Sequence, residues 1–281
     1  MTLQITLGGI DLAGQNGVDA NGVQWSVASL DGWGGVRPTI QLNQKPRAGG
    51  AWSGLSYGAA RHIAISGLIA APTQDLLTAA IDSLVQATTL AATTLTVVEG
   101  SRSRSLAVRR EDEVLFTYIT GTVAQYSIAI VATDPRKLGT ALVGTTLLPL
   151  STGGSTVPFT LPTPITSTII SGSVALTNPG NSTGPVVLRV DGPCTGPQIT
   201  HGGITGGSIT FSSALVLGTG EWLTISMDTR QVLANDQSNR AQYITSRGWS
   251  GFDPGANSWA FTAAVYNAAS MLTVTATPAW D

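Results

Sequence analysis

The sequence predicts an all-β protein with one helix, arranged as two domains. Three observations lead there. Gly is abundant at 33 residues and Thr and Ser recur throughout, a mixture poor in helix formers and rich in turn and strand formers. Short apolar–polar alternations follow one another with turn signals between them. A length of 281 residues exceeds the ~100–200 of one average domain, and the 42 % apolar content is enough for each half to build a core.

The elements follow in order. Leu3, Ile5 and Leu7 share one face of a strand that Gly8-Gly9 ends. Val23, Trp25 and Val27 mark a second strand after the turn-prone Asn21-Gly22 pair. Asp31–Gly35 reads as a tight glycine-rich loop, and the stretch with Arg37, Gln41, Asn43, Gln44, Lys45 and Arg47 reads as a further loop ending at Gly49-Gly50. Ala60–Gly67 returns to strand.

One helix is predicted at about 73–87. Thr73 is its N-cap and Asp75 favours the positive end of the macrodipole. Leu76, Leu77, Ala80, Ile81, Leu84 and Val85 form a single stripe, which should pack on the sheet of the first domain. Strands are expected at Leu95–Val98, Ser105–Arg109, Val114–Ile119 and Tyr126–Ala132, with Arg109–Glu113 as a solvated turn. Asp134-Pro135 ends the run.

Residues 139–164 are rich in Thr, Ser, Gly and Pro and read as an extended linker or an edge strand; the domain change is placed here, giving domains 1–138 and 165–281. The last third predicts only short strands, at Ser173–Thr177, Val186–Val190, Gln198–Thr200, Ser208–Phe211, Trp222–Ser226, Arg230–Leu233, Ser258–Phe261 and Met271–Ala276. Their spacing argues for a sandwich or barrel. No internal repeat stands out.

The charge pattern narrows the function. Charged residues are only 11 % of the chain, so like-charge repulsion is weak and desolvation cheap, which favours association with protein. A net charge of −2 supplies no field to steer the chain to nucleic acid or anionic lipid. No charged-then-apolar leader opens the sequence and no apolar run reaches the ~18 residues of a membrane span. The expectation is a chain made and kept in the cytosol until it is assembled or released. Cys194 stands alone, allows no internal disulfide, and reads as a small buried hydrophobe.

Motifs for chemistry are weak. His62 and His201 have no Cys or His at metal spacing, so no zinc site and no cofactor is expected. Gly54-Leu-Ser-Tyr-Gly58 matches the nucleophile-elbow pattern around Ser56, but the βαβ alternation that gives the pattern meaning is absent. Asp191, Glu221, Asp228, Asp236 and Asp253 offer carboxylates for glycoside hydrolysis, yet any acid-bearing chain offers some such set. Gly202–Gly207 reads as a β-turn rather than a phosphate loop. Trp222, Trp249, Trp259 and Trp280 cluster in the second domain, as core or interface anchors or as a sugar platform. An enzyme is not expected.

Four segments carry a resemblance. They are Asn21–Gly35 with the Arg/Gly-rich stretch to Arg61, then Val131–Arg136, then Thr177–Pro193, and finally Leu223–Arg230 with Gly248–Trp259. Their shared order over nearly the full chain resembles the distal tail (Dit-like, tail hub) proteins of long-tailed siphophages, especially those of actinobacterial hosts. Trp259 stands where that family often has an aliphatic residue.

The resemblance implies an N-terminal β domain, sandwich or split-barrel in kind, whose copies close a hexameric ring, and a C-terminal galectin-like β-sandwich at the periphery. It further implies a structural virion protein at the tail tip. The partners would be other copies of the chain, the tail tube protein, the tail-tip or baseplate hub protein and a receptor-binding protein. DNA would pass without its sequence being read. Arg37, Lys45 and Arg47 become candidates for ring or lumen contacts. Two alternatives stand beside it. One is a carbohydrate-binding β-sandwich module for host-surface adsorption, although His201 followed by Gly-Gly and the order Glu221-Trp222 do not match the galectin sugar motif. The other is a hydrolase built on Ser56 or a carboxylate pair.

Overall fold

A computed structural model describes residues 3–13, 18–152, 168–170, 172–265 and 267–281. The chain forms two compact units, residues 1–139 with Asp281, and residues 140–280. Both are β-structures, and the one α-helix among the described residues is in the first, as the sequence predicts.

In the first unit the strands are β1 (Leu3–Leu7), β2 (Ile10–Asp11), β3 (Gln24–Asp31), β4 (Pro38–Gln44), β5 (Ala51–Gly58), β6 (Arg61–Ala70), β7 (Thr93–Glu99), β8 (Arg102–Arg110), β9 (Leu115–Thr120), β10 (Val123–Ala132) and β11 (Lys137–Leu138). They pair antiparallel in the order β2-β1-β7-β8-β10-β6-β3. β10 divides its other edge, giving Val123–Ser127 to β9 and Ile130–Val131 to β8. Against β6 it pairs along all ten residues, from Val123↔Ala70 to Ala132↔Arg61.

Alternation explains the core. Ile63, Ile65 and Ile69 of β6 and Tyr126, Ile128 and Ile130 of β10 point inward to meet Ile5, Leu7, Leu95, Val97, Leu106 and Val108. Helix α1 (Gln74–Ala87) closes the core with Leu77, Ala80, Ile81 and Leu84. Thr73 caps it by accepting from the Leu76 amide, and Asp75 lies in its first turn. Gly67 is imposed by packing. A Cβ there would lie 1.9 Å from the Ser26 carbonyl and 2.6 Å from the Tyr126 hydroxyl, which itself donates to Ser26 O at 3.1 Å.

The second unit contains β12 (Leu142–Leu147), β13 (Leu150–Thr152), β14 (Thr168–Ile170), β15 (Ser173–Asn178), β16 (Val186–Asp191), β17 (Cys194–Gly202), β18 (Gly207–Phe211), β19 (Val216–Leu217), β20 (Trp222–Ser226), β21 (Gln231–Ala234), β22 (Ser238–Asn239), β23 (Ile244–Arg247), β24 (Gly255–Val265), β25 (Met271–Ala276) and β26 (Ala279–Trp280). One sheet runs β12-β25-β16-β20-β21-β22 and the other β15-β24-β17-β18-β23. Their inner faces share one core, in which Leu188, Val190, Leu223, Ile225, Leu272 and Val274 meet Ile199, Ile209, Phe211, Trp259 and Phe261. Residues 142–147, read as linker or edge strand, are the edge strand of the first sheet. The last part of that reading, 153–164, lies outside the described residues.

A correction concerns residues 37–58. The sequence reading placed Arg37–Arg47 in a loop and a glycine-rich loop before Ser56. These residues instead form the antiparallel hairpin β4–β5, paired from Pro38↔Gly58 to Gln44↔Ala51 with a bulge between Ile40 and Leu42. The reading missed it because neither strand shows a buried face: every residue of both is exposed.

Candidate functional site

The hairpin is a part of the first unit whose apolar side chains enter no core. Ile40, Leu42, Trp52, Leu55 and Tyr57 are between 48 % and 75 % exposed. The cross-strand register puts Trp52, Leu55 and Tyr57 on one face, and Ile40 and Leu42 on the other. An isolated two-stranded ribbon is marginal in water, and an exposed apolar cluster marks an interaction site. Here both faces carry one.

The charge of this segment is one-sided. Between residues 32 and 60 there are three cations, Arg37, Lys45 and Arg47, and no acid. Arg37 enters the hairpin and the other two occupy its tip, where Lys45 N donates to Gly50 O at 3.2 Å. None of the three makes an ion pair or side-chain hydrogen bond within the described residues.

The root is held firmly. Gly32 has φ +83, and a Cβ there would sit 1.9 Å from the His62 carbonyl, so the Asp31–Gly35 turn needs glycine at this point. Arg61, 2 % exposed, donates from Nη1 to the carbonyls of Gly32 (3.0 Å), Trp33 (3.1 Å) and Gly34 (2.7 Å), and from Nε to Pro135 O (2.9 Å). Lys137, 4 % exposed, donates to the Trp33 and Gly34 carbonyls at 3.1 and 3.0 Å, with its ammonium 5.5 Å from the Trp33 ring centre. Burial lowers the Lys137 pKa to about 8, helped by the neighbouring Arg61 and Arg104 charges and opposed by Glu99 and Asp281. Sequence reasoning missed this carbonyl cage, because Lys137 lies 104 residues from Trp33.

The solvent face of β3, β6, β10 and β9 is a second unusual surface. Its cross-strand rows read Ser29–Ser66–Ser127–Leu115 and Ser26–Leu68–Gln125–Thr117. These rows hold no charged side chain. Charge enters only at one end, with Asp31 and the His62 Nδ1–Glu111 Oε1 pair at 2.6 Å.

The residues considered for chemistry are dispersed. Ser56 is exposed on β5 opposite Ile40, while the histidines are engaged elsewhere, His62 with Glu111 and His201 with Asn257. His201 is part of a structural knot. Asn257 Nδ2 donates to the carbonyls of Asp253 and Gly255, so its Oδ1 is an acceptor and His201 donates to it through Nε2 at 2.9 Å. Asp253 accepts from the Thr205 amide at 2.6 Å and from the Thr205 and Thr183 hydroxyls, and so ties loops rather than facing substrate. Asp191 holds Arg189, and Asp236 accepts from Trp222 and Thr224. Glu221 Oε2 accepts from the Gly218 amide, and Asp228 adjoins a turn.

Two of the four tryptophans of the second unit are engaged within the fold. Trp259 is fully buried and stacks on His201 at 4.9 Å. Trp222 is half-buried. Its ring lies under the Arg189 guanidinium at 4.6 Å and its Nε1 donates to Asp236 at 3.1 Å, so one face and the indole donor are engaged. Cys194 is buried, where desolvation raises its thiol pKa to about 11 and keeps it unreactive. Among the described residues no group of three His, Cys, Asp or Glu side chains is placed to hold a metal ion. No helix among them is long and apolar enough to cross a membrane, which says nothing of β-barrel membrane proteins.

The fold has relatives among solved structures. The Dit protein of phage SPP1, described as a paradigm of the hub adsorption apparatus in phages infecting Gram-positive bacteria, matches with a TM-score of 0.65 over 99 % of both chains at 13 % identity. The fold is a Dit fold. A chain of the phage P2 baseplate in its activated, calcium-containing conformation matches with a TM-score of 0.52 over 98 % of both chains at 11 % identity. No family model matches the sequence, and no curated protein does. The likeness to Dit is therefore one of fold, carried through both units at low identity.

Proposed function

We propose that the chain is a structural protein of a siphophage tail tip, a distal tail hub whose copies close a ring, of about six by analogy, between the tail tube and the tail-tip or baseplate proteins. The single observation that carries this reading is the β4–β5 hairpin. It is regular and firmly rooted, and it carries large apolar side chains on both faces with every residue exposed. Such a ribbon is stable when other chains cover it. A ring fits because it requires two different contact patches on each subunit, and the hairpin supplies one of them.

The first unit takes the ring role in this reading, with Arg37, Lys45 and Arg47 among its contacts. The uncharged face of β3, β6, β10 and β9 suits the wall of a passage, since hydroxyl and small apolar groups give a phosphate backbone no cation to hold it. In this reading the sandwich of the second unit serves neighbouring tail proteins, a receptor-binding protein among them. The assembly belongs to the virion, with the chain made in the host cytoplasm.

The test is the mass of the purified chain by light scattering, with negative-stain images of the same peak. The expected result is a ring of several 28.8 kDa subunits around a central hole. A monomer that remains monomeric at high concentration and also fails to join purified tail tubes would overturn the reading.

A further inference from the structure

A cavity of about 580 Å³ opens in the first unit between α1, the β1–β2 hairpin and the turn that leads into β3. That volume lies within the ~300–1,000 Å³ of small-molecule sites. Among the described residues its charge comes from Asp11 and Asp19, and no cation lines it. One buried side chain is left incomplete there. Trp25 is 5 % exposed and lines the cavity, yet its indole N–H has no acceptor among the described residues. Trp33 and Trp259 also carry an unpaired Nε1, but theirs are sealed from solvent and that of Trp25 is not. An unmet donor at the edge of an open cavity marks a place for a ligand's acceptor. The carboxylates are preset. Asp19 Oδ1 accepts from the amides of Asn21 (2.8 Å) and Val23 (3.0 Å), and the Gly22 amide donates to the Asp19 carbonyl at 3.0 Å, which fixes the turn and leaves Oδ2 for a ligand. Asp11 accepts from the Gln4 side-chain amide through Oδ2 at 3.3 Å, and its other oxygen has no such partner. Neither acid is in an ion pair.

We infer that this cavity binds a saccharide unit, one hydroxyl accepting from Trp25 Nε1 and others donating to Asp11 and Asp19. The balance of donors and acceptors selects the class. A phosphate or acidic ligand would meet two carboxylates and no cation. An alkylammonium would suit the carboxylates but offers Trp25 no acceptor. A hydroxyl does both, and the C–H faces of a pyranose ring fit against the apolar wall of Val18, Val23 and Leu76. Asn21, which also lines the cavity, adds a side-chain amide that pairs either way. Trp25 takes part by its edge, since its ring is buried against Tyr126 with centroids 6.2 Å apart. The site belongs to the first unit, not to the sandwich of the second, and it needs no second copy of the chain.

The test is a titration of the full, isotope-labelled chain with glucose, galactose, mannose, rhamnose, N-acetylglucosamine and glucosamine, followed by NMR at the indole N–H resonances. The Trp25 resonance is the one lost in Trp25→Phe. At least one sugar should move it saturably, while those of Trp33 and Trp259, sealed in their cores, stay in place. Asp19→Asn keeps the oxygen that holds the turn and should weaken binding about tenfold, the loss of one charge-assisted hydrogen bond. Ala79→Trp, at an exposed helix position that lines the cavity, should block it and abolish binding with the thermal midpoint unchanged. Cadaverine, a diamine without hydroxyls, should leave the Trp25 resonance where it is. No saturable shift with any of the sugars would overturn the site. Cadaverine binding as tightly as the best sugar would overturn the saccharide assignment in favour of an amine. Sugar binding that survives both Asp19→Asn and Ala79→Trp would belong elsewhere on the chain and overturn the cavity.

Discussion

Strands β5 and β6 are separated by two residues, and they differ in what finishes them. β6 buries every second residue, from Arg61 through Ile63, Ile65 and Gly67 to Ile69, inside its own unit. β5 buries none, although Trp52, Leu55 and Tyr57 are as apolar as the residues of β6. The same backbone geometry is thus completed by the chain itself in β6 and left uncovered in β5. Between them sits the cage of Arg61 and Lys137, which fixes the loop from which the hairpin departs. A rigid root under an unfinished ribbon is the arrangement of a preformed contact rather than a flexible arm.

The sharpest test of this contrast uses one truncation on each side of it. Ile65→Ala removes a side chain with no exposure from the centre of the core and should cost about 2–5 kcal/mol in urea-induced unfolding. A loss below about 1 kcal/mol would mean that β6 is not the spine of the unit.

The cage comes next. Arg61→Met deletes four hydrogen bonds at once and takes the side-chain partner from the Gly32 and Pro135 carbonyls, since Lys137 reaches only Trp33 and Gly34. A buried acceptor left unpaired costs about 1–3 kcal/mol, and these part-buried carbonyls, which water can partly satisfy, lie at or below the low end of that range. The expected outcome is a clear drop in unfolding midpoint, together with weaker self-association as the hairpin root loosens. Loss of stability with association intact would separate the cage from the hairpin.

Lys137 should behave differently. Arg61 already bonds both carbonyls that Lys137 bonds, so Lys137→Met leaves no acceptor unpaired. Its pKa falls from 10.5 to about 8 on folding, first through burial and then through Arg61 and Arg104. Because the folded pKa is the lower one, the unfolded chain binds more protons between these values, and stability rises with pH across the window. The contribution is complete above 10.5 and lost as pH falls through about 8. Urea midpoints at pH 7 and pH 10 should therefore rise more in the native chain than in Lys137→Met. Equal changes in the two would overturn the account of the cage as a charge held against its preference.

How much of this was legible in the sequence follows from the same contrast. The helix was legible because Leu77, Ile81 and Leu84 repeat with helical period behind a Thr73 cap, and the core strands because burial enforces alternation. The hairpin was not. β4 and β5 bury neither face, Gly54 and Gly58 suggest loop, and the bulge at Ile40 and Leu42 breaks the period. The three cations drew attention to the segment by their type alone, without revealing that Lys45 and Arg47 share a tip. The polar centres were beyond reach for another reason: His201 and Asn257 are 56 residues apart, and only the sandwich brings them together.

The smallest expected effect on folding is also the one that tests the hairpin most directly. Leu55 is 75 % exposed, so Leu55→Ser removes almost no buried surface from the isolated chain and should leave its unfolding free energy within about 0.5 kcal/mol. On the proposed ring reading self-association should weaken all the same, because that reading gives the side chain to a contact between chains. The two measurements belong on one sample, urea unfolding for the first and light scattering across concentration for the second. A substitution that lowers folding stability while sparing association would place Leu55 in an intramolecular contact and reverse the reading of β5. Association lost at constant stability is the signature of a strand whose core is supplied by its neighbour.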